Sequence, residues 1–223
     1  LTKDLLLDIS RVGVLYDVDA DGLVSGKIVY EYMQKLGLFV QRMMNKRKKH
    51  GITDDVIDWV RDNEIELLYV VDAGTNDIEE HKILSEMGVH VIILDHHPQT
   101  VVEEVENVHV INCSLHDHLP DLSGAGVCYR YIELLDEAVG GVGVTHYEPL
   151  SVLSDHCSML DSENRYYVDV LYKNYSDIDL FNAFTFWGSA RNLFLFGVIP
   201  YLNACIRTNN VDIAMEVMSM SGA

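Results

Sequence analysis

Cysteine is scarce. Cys113, Cys128, Cys157 and Cys205 are spread along 223 residues, with no Cys-x-x-Cys pair. That spacing counts against a cysteine zinc site and gives no disulfide framework. The four read as reduced, buried small hydrophobes in a cytoplasmic protein. Long apolar runs are also missing. The best candidate, LFLFGVIPYL at 193–202, is broken by a proline and falls well short of the roughly 20 residues that a membrane span needs. The opening LTKDLLLDIS has neither the basic start nor the apolar segment of a signal peptide. It also lacks an initiating Met, so a processed or partial chain is expected. Positive charge is the third shortage: 16 Lys and Arg stand against 35 Asp and Glu, a formal charge of −19. Nucleic-acid binders are usually basic, so the balance counts against extensive non-specific DNA binding by this chain alone. Some of the acids would be neutralised as ligands of bound cations.

What the chain does have is apolar residues, 48% of the total, enough for a sizeable core. They fall into alternating patterns. Strands are expected at 12–18, 38–44, 66–72, 89–95 and 108–112. Helical spacing is expected at 22–37, 53–64, 76–88 and 123–141. Strand–helix alternation implies βαβ units. The expected fold is therefore α/β: a doubly wound, mostly parallel five-stranded sheet with helices on both faces, followed by a helical C-terminal portion. Residues 1–145 would form the α/β core and 146–223 a mostly helical remainder.

Three of the expected strands end in acids. DVDADG (17–22) follows the first, Asp72 of VVDAGTND closes the third, and Asp95 of VIILDHHP closes the fourth, with His96 and His97 behind it. Ligands of open α/β sheets bind outside the carboxyl ends of the strands, and adjacent strands lie about 4.8 Å apart. Acids converging on so small a space repel one another unless cations sit among them. Carboxylates with one or two histidines suit Mn²⁺, Mg²⁺ or Fe²⁺, and paired metals clamp phosphoesters during hydrolysis. A helix opening after DVDAD, and another opening at Ser123-Gly124-Ala125-Gly126, would present N–H groups to a phosphate. A calcium loop is disfavoured, because Ile28 stands where the bidentate acid would be.

DVDADG, VDAGTND and LDHHP in this order resemble the first three motifs of the DHH phosphoesterase superfamily. SVLSDHCSMLDSENRYYV (151–168), LSGAGVCYRYIELL (122–135) and FGVIPYLNACIRTNN (196–210) resemble its RecJ branch in particular. The resemblance covers nearly the whole chain. It implies a metal-dependent phosphoesterase, in the RecJ case a 5′→3′ single-strand-specific DNA exonuclease using two divalent ions, Mn²⁺ or Mg²⁺. It implies Asp19, Asp21, Asp72, His96 and Asp155 as metal ligands, with Asp72 bridging, and Asp17 as a further ligand or supporting acid. His97 would contact the scissile phosphate and Asp95 would orient the histidines. Ser123, Gly124 and Gly126 would contact substrate; Arg165, Asn203 and Arg207 read either as phosphate contacts or as structural hydrogen-bonders.

The sequence departs from the family's pattern at three places. Leu15 and Tyr16 stand where many members carry a histidine. Tyr201 and Ile206 alter the P-x-x-N-A-x-x-R segment. The family's second, substrate-gripping domain is expected to be absent. The basic run RMMNKRKKHG (42–51) reads either as a solvated loop or as a contact for the phosphate backbone. His116, His118 and His156 read as surface or structural, and Trp59 and Trp187 as core. Single-stranded DNA, a small phosphoester substrate such as a short oligonucleotide, a cyclic dinucleotide or pyrophosphate, and a non-catalytic Cdc45-like scaffold role all remain open at this point.

Overall fold

A computed structural model describes residues 2–46, 50–115, 121–144, 154, 155, 157, 164 and 194–219. A short helix α1 (Thr2–Leu5) precedes β1 (Arg11–Tyr16), α2 (Ala20–Lys35), β2 (Phe39–Met44), α3 (Asp54–Asp62) and β3 (Leu67–Val71). Helix α4 (Ile78–Glu86), β4 (His90–Asp95), β5 (Val108–Asn112) and α5 (Gly124–Val139) follow. A π-helical turn at Phe194–Val198 leads into α6 (Ile199–Arg207), and α7 (Val211–Ser219) ends the described chain.

The five strands form one sheet in the order β2-β1-β3-β4-β5. Every pairing is parallel, so the sheet is wholly rather than mostly parallel. The central strands are largely apolar because both of their faces are covered; all five residues of β3 are apolar and buried. Side chains alternate across the sheet. Val12, Val14, Tyr16, Leu67, Tyr69, Val71, Ile92 and Leu94 enter one core, with α2, α5 and α6. Leu15, Leu68, Val70, Val91 and Ile93 enter a second, with Val56, Ile57 and Val60 of α3 and Leu84 of α4. Helices on both faces are thus observed, and the described C-terminal residues are helical as expected. The expected boundary near residue 145 lies outside the described residues.

The strand order reverses direction between β1 and β3. The connection after β1 runs outward to β2, and the one after β3 runs the other way to β4, so a crevice opens at the carboxyl ends of β1 and β3. Helix α2 begins directly at that crevice, two residues earlier than its apolar spacing suggests. The reason is Asp19, whose side chain caps the helix by accepting the Gly22 N–H. The close turn needs a glycine at 22, where a Cβ would lie 2.7 Å from backbone and side-chain atoms of Asp17.

Candidate metal centre

Each acidic strand end is held by its own local logic. Asp17 leaves β1 buried, and its carboxylate lies 2.9 and 3.0 Å from Nδ1 of His50, which reaches in from the β2–α3 connection. Burial pushes the Asp17 carboxyl up, and the His50 contact opposes the shift. Asp19 remains exposed at the α2 cap. Asp21, on the first turn of α2, is buried and reaches across to the start of α5. Its two oxygens accept the N–H groups of Gly124 (2.7 Å) and Ala125 (3.2 Å), together with the Ser154 hydroxyl. Burial nevertheless pushes the Asp21 carboxyl up to about 6, with Asp155 and Asp19 adding repulsion.

Asp72 lies at the centre. It follows β3 with φ +59, a left-handed conformation that costs a non-glycine residue energy. It is 2% exposed, and its Oδ1 is buried without accepting a hydrogen bond. Gly124 makes room for it, since a Cβ there would come within 2.7 Å of Asp72 Cβ. Burial, then repulsion from Asp21, Asp19, Asp17 and Asp95, drives its carboxyl well above the usual range. A carboxylate this buried and this crowded by like charge is stable as an anion only beside a cation.

His96 supplies nitrogen at the same point. Its Nε2 stands 3.3 Å from Asp72 Oδ1 and 3.9 Å from both Asp21 Oδ2 and Asp155 Oδ2. His97 packs edge-on against it with ring centroids 4.6 Å apart. Asp95 takes no place among the ligands. One of its oxygens accepts the N–H groups of His96 and His97 and faces His97 Nδ1 at 2.8 Å; the other accepts the Thr75 N–H and hydroxyl. Burial opposes its charge, but these hydrogen bonds from His97 and Thr75 outweigh it and bring the carboxyl down to about 2. The same contact raises His97.

Three groups of ligand atoms result, each with all its atoms within 4.8 Å of one another: Asp17, Asp19 and Asp72; Asp21, His96 and Asp155; and Asp72, His96 and His97. Asp72 belongs to two of them. The oxygen-rich set, with one or two imidazoles and an orphaned buried carboxylate oxygen, fits divalent metal. A cavity of about 330 Å³ opens beside it, with Asp17 and Asp72 on its wall and His50, Gly74, Thr75 and His97 around it.

The structure therefore brings together Asp17, Asp19, Asp21, Asp72, Asp95, His96, His97 and Asp155. It revises the phosphate cradle expected at 123–126. The Gly124 and Ala125 N–H groups serve Asp21, and the Gly126 N–H serves the Ser123 hydroxyl that caps α5. Asn203 binds the protein itself, accepting the Ala20 N–H at 3.0 Å and so fixing the start of α2. Arg207 is exposed at the end of α6. Arg165, His116, His118, His156, Trp187 and residues 47–49 lie outside the described residues. Arg42 of the basic run pairs with Asp212 and stacks over Tyr30, and Lys46 pairs with Asp55. Trp59 is half-buried against the second core, where a Cβ at Gly13 of β1 would meet its ring at 2.9 Å.

His50, Thr75 and Asn112 escaped sequence reading. His50 closes the basic run, and that position was its only signal. It brings a histidine to the first acidic cluster from a later loop, although Leu15 and Tyr16 occupy the preceding strand.

Known proteins resemble this chain in sequence and in fold. A putative prophage-derived single-strand DNA-specific exonuclease, YorK of Bacillus subtilis, is 28% identical over 167 residues, which span 72% of this chain and 28% of that protein. The single-stranded-DNA-specific exonuclease RecJ of Bacillus subtilis is 27% identical over 137 residues, 60% of this chain and 17% of RecJ. The chain thus spans less than a third of the length of either relative. A crystal structure of exonuclease RecJ bound to manganese superposes with a TM-score of 0.81 at 24% identity, covering 96% of this chain and 58% of the other. That likeness concerns the fold. The family described as "DHH family, N-terminal domain" matches residues 11–153, from the first residue of β1 past the start of the helix-capping contacts that hold Asp21, and the chain belongs to the DHH family.

Proposed function

We propose that the chain hydrolyses phosphodiester bonds with two divalent cations, Mn²⁺ in preference to Mg²⁺, as the catalytic part of a 5′→3′ single-stranded DNA exonuclease. The observation that carries this reading is the buried Oδ1 of Asp72, which accepts no hydrogen bond, faces His96 Nε2 at 3.3 Å and is set between two groups of acids. In the proposed arrangement Asp17, Asp19 and Asp72 would hold one ion and Asp21, His96 and Asp155 the other, with Asp72 placed to serve both. Bound cations supply charge for the phosphate oxygens and lower the pKa of water.

The chain's own residues do the rest. Asp95 keeps His97 Nδ1 engaged, which leaves Nε2 for a phosphate oxygen at the cavity. His50 holds the Asp17 carboxylate from the outer side. Arg207, exposed on α6, is available to the backbone of a bound strand. The similarity to YorK and RecJ supports single-stranded DNA as the substrate. The four unpaired cysteines suit a cytoplasmic setting, and no described helix is long and apolar enough to cross a membrane.

A second reading has its own support. Arg42 and Lys46 are both engaged by carboxylates in a chain of charge −19, which favours short oligonucleotides or cyclic dinucleotides over long strands. One panel separates the two: 5′-labelled single strand, dinucleotide, cyclic dinucleotide and pyrophosphate, each with Mn²⁺, and Asp72→Ala as the blank. Release of mononucleotides from the labelled 5′ end of long strands supports the exonuclease. Turnover of the small substrates alone overturns it. A chain that takes up no Mn²⁺ by calorimetry is a scaffold instead.

A further inference from the structure

Asn112 ends β5 and is paired in register with Asp95 of β4. The residue is 5% exposed, and two of its hydrogen bonds have a direction fixed by their partners. The Ser114 N–H donates to one side-chain atom at 2.9 Å. A backbone N–H can only donate, so that atom is the amide oxygen. The other atom, the amide nitrogen, meets the His97 carbonyl oxygen at 2.8 Å, which can only accept. These two contacts exclude a flipped amide. The same nitrogen also lies 3.0 Å from the Thr75 hydroxyl and therefore donates to it.

The constraint propagates. Thr75 has one hydroxyl proton, and with Asn112 donating to its oxygen that proton is directed to Asp95 Oδ2, at 2.6 Å. Asp95 then accepts from the Thr75 hydroxyl, the Thr75 N–H and the N–H groups of His96 and His97. It has no proton of its own to give, so the 2.8 Å contact with His97 Nδ1 requires the ring to carry the hydrogen there. The ring's other nitrogen is left as the one whose state can change. A chain of forced donors thus runs from a backbone amide of residue 114 to the imidazole of residue 97.

We infer that Asn112 is a positioning residue, which acts through Thr75 and Asp95 to hold His97 in its Nδ1–H tautomer while anchoring its backbone carbonyl. Nothing in the sequence marks it, since VHVIN reads as an ordinary strand. The inference concerns the His97 ring itself. Only its kinetic consequence rests on the proposed contact of His97 with phosphate.

The test compares Asn112→Asp, Thr75→Val and Thr75→Ser with the unaltered chain, each loaded with Mg²⁺. Asn112→Asp keeps the shape, removes both donors and offers Thr75 an acceptor that draws its proton away from Asp95. Thr75→Val deletes the hydroxyl, and Thr75→Ser keeps it. Nitrogen-15 spectra of the histidine rings read the tautomer directly. At a pH where the ring is neutral, the unaltered chain and Thr75→Ser show His97 protonated at Nδ1 alone, and the other two show mixed tautomers. On a single-stranded oligonucleotide the same two lose about 10- to 100-fold in kcat, with KM held within about twofold. An unchanged His97 spectrum in Asn112→Asp overturns the inference. If that variant fails to fold, the spectrum of Thr75→Val decides in the same way. An unaltered chain inactive on every phosphodiester sinks the proposed function, while the ring spectra still decide the role of Asn112.

Discussion

Asp72 shows what a single residue is made to bear. It combines a left-handed backbone, near-complete burial and a carboxylate oxygen without a hydrogen bond. Each feature costs stability, and together they mark a site where function has overridden folding. Asp72→Asn removes the charge, keeps the shape and introduces a residue that tolerates positive φ. The metal-free chain should gain about 1–3 kcal/mol from the change, while turnover falls to the blank. Thermal melts with and without Mn²⁺ check it: the variant should melt higher than the parent in chelator and gain little from metal. A variant that melts lower in chelator refutes the reading of Asp72 as a carboxyl destabilised by burial and like charge. Asp21 adds a pH dependence. Its carboxyl is raised by burial from 3.8 to about 6, so the folded chain holds a proton that the unfolded chain has lost. The stability it contributes is complete below about 3.8 and is lost as pH climbs through about 6. The metal-free protein should therefore melt higher at about pH 5 than at about pH 7, and saturating Mg²⁺ should raise the melt more at the higher pH. Equal metal-induced shifts at the two pH values would sink the assignment.

At the scale of elements, the site is an edge where three strand ends and two helix starts meet. Helix α5 contributes no side chain to the metal groups, yet its first turn fixes Asp21 through two N–H groups and admits Asp72 through the bare face of Gly124. Gly124→Ala drives a methyl into the Asp72 carboxylate. Since Asp72 is pinned by its own N–H bond to the Leu94 carbonyl, the helix must shift instead, at about 1–3 kcal/mol. Metal affinity should weaken along with stability. Calorimetry reads the former and denaturant melts the latter, and unchanged Mn²⁺ affinity would show that α5 does not set the metal geometry. Much of this frame was legible in the sequence, because period-two and period-3.6 apolar patterns report burial directly. The acids at 17–21, 72 and 95 were legible because a parallel sheet delivers its strand ends to one edge. What α5 does with its N–H groups was not. Gly124 and Asp21 lie 103 residues apart, and only the packed helix pair shows that an internal carboxylate, rather than a substrate phosphate, occupies that helix start. His50 escaped for the same reason: its sequence context is a basic loop, and its meaning comes from the loop's fold back onto Asp17.

For the whole molecule, the difficulty is electrostatic. A chain of charge −19 repels a polyphosphate at long range, and its proposed substrate is one. Among the described cations, Arg42 and Lys46 already face carboxylates in exposed pairs, and such pairs contribute little attraction once screened. Two divalent ions would cancel four charges, and would do so at the one edge where a scissile phosphate has to sit. Metal should then act as a condition for substrate binding as well as for chemistry. Fluorescence anisotropy with a phosphorothioate-linked single strand checks this. In chelator the chain should leave the probe free; with Mn²⁺ it should bind, with a log–log salt slope shallower than about −3, because few lysine or arginine contacts release counterions. Tight binding in chelator with a steep salt slope would mean that cationic side chains do the gripping. The acid-lined centre would then be a site of chemistry alone, reached by a strand already held elsewhere on the protein.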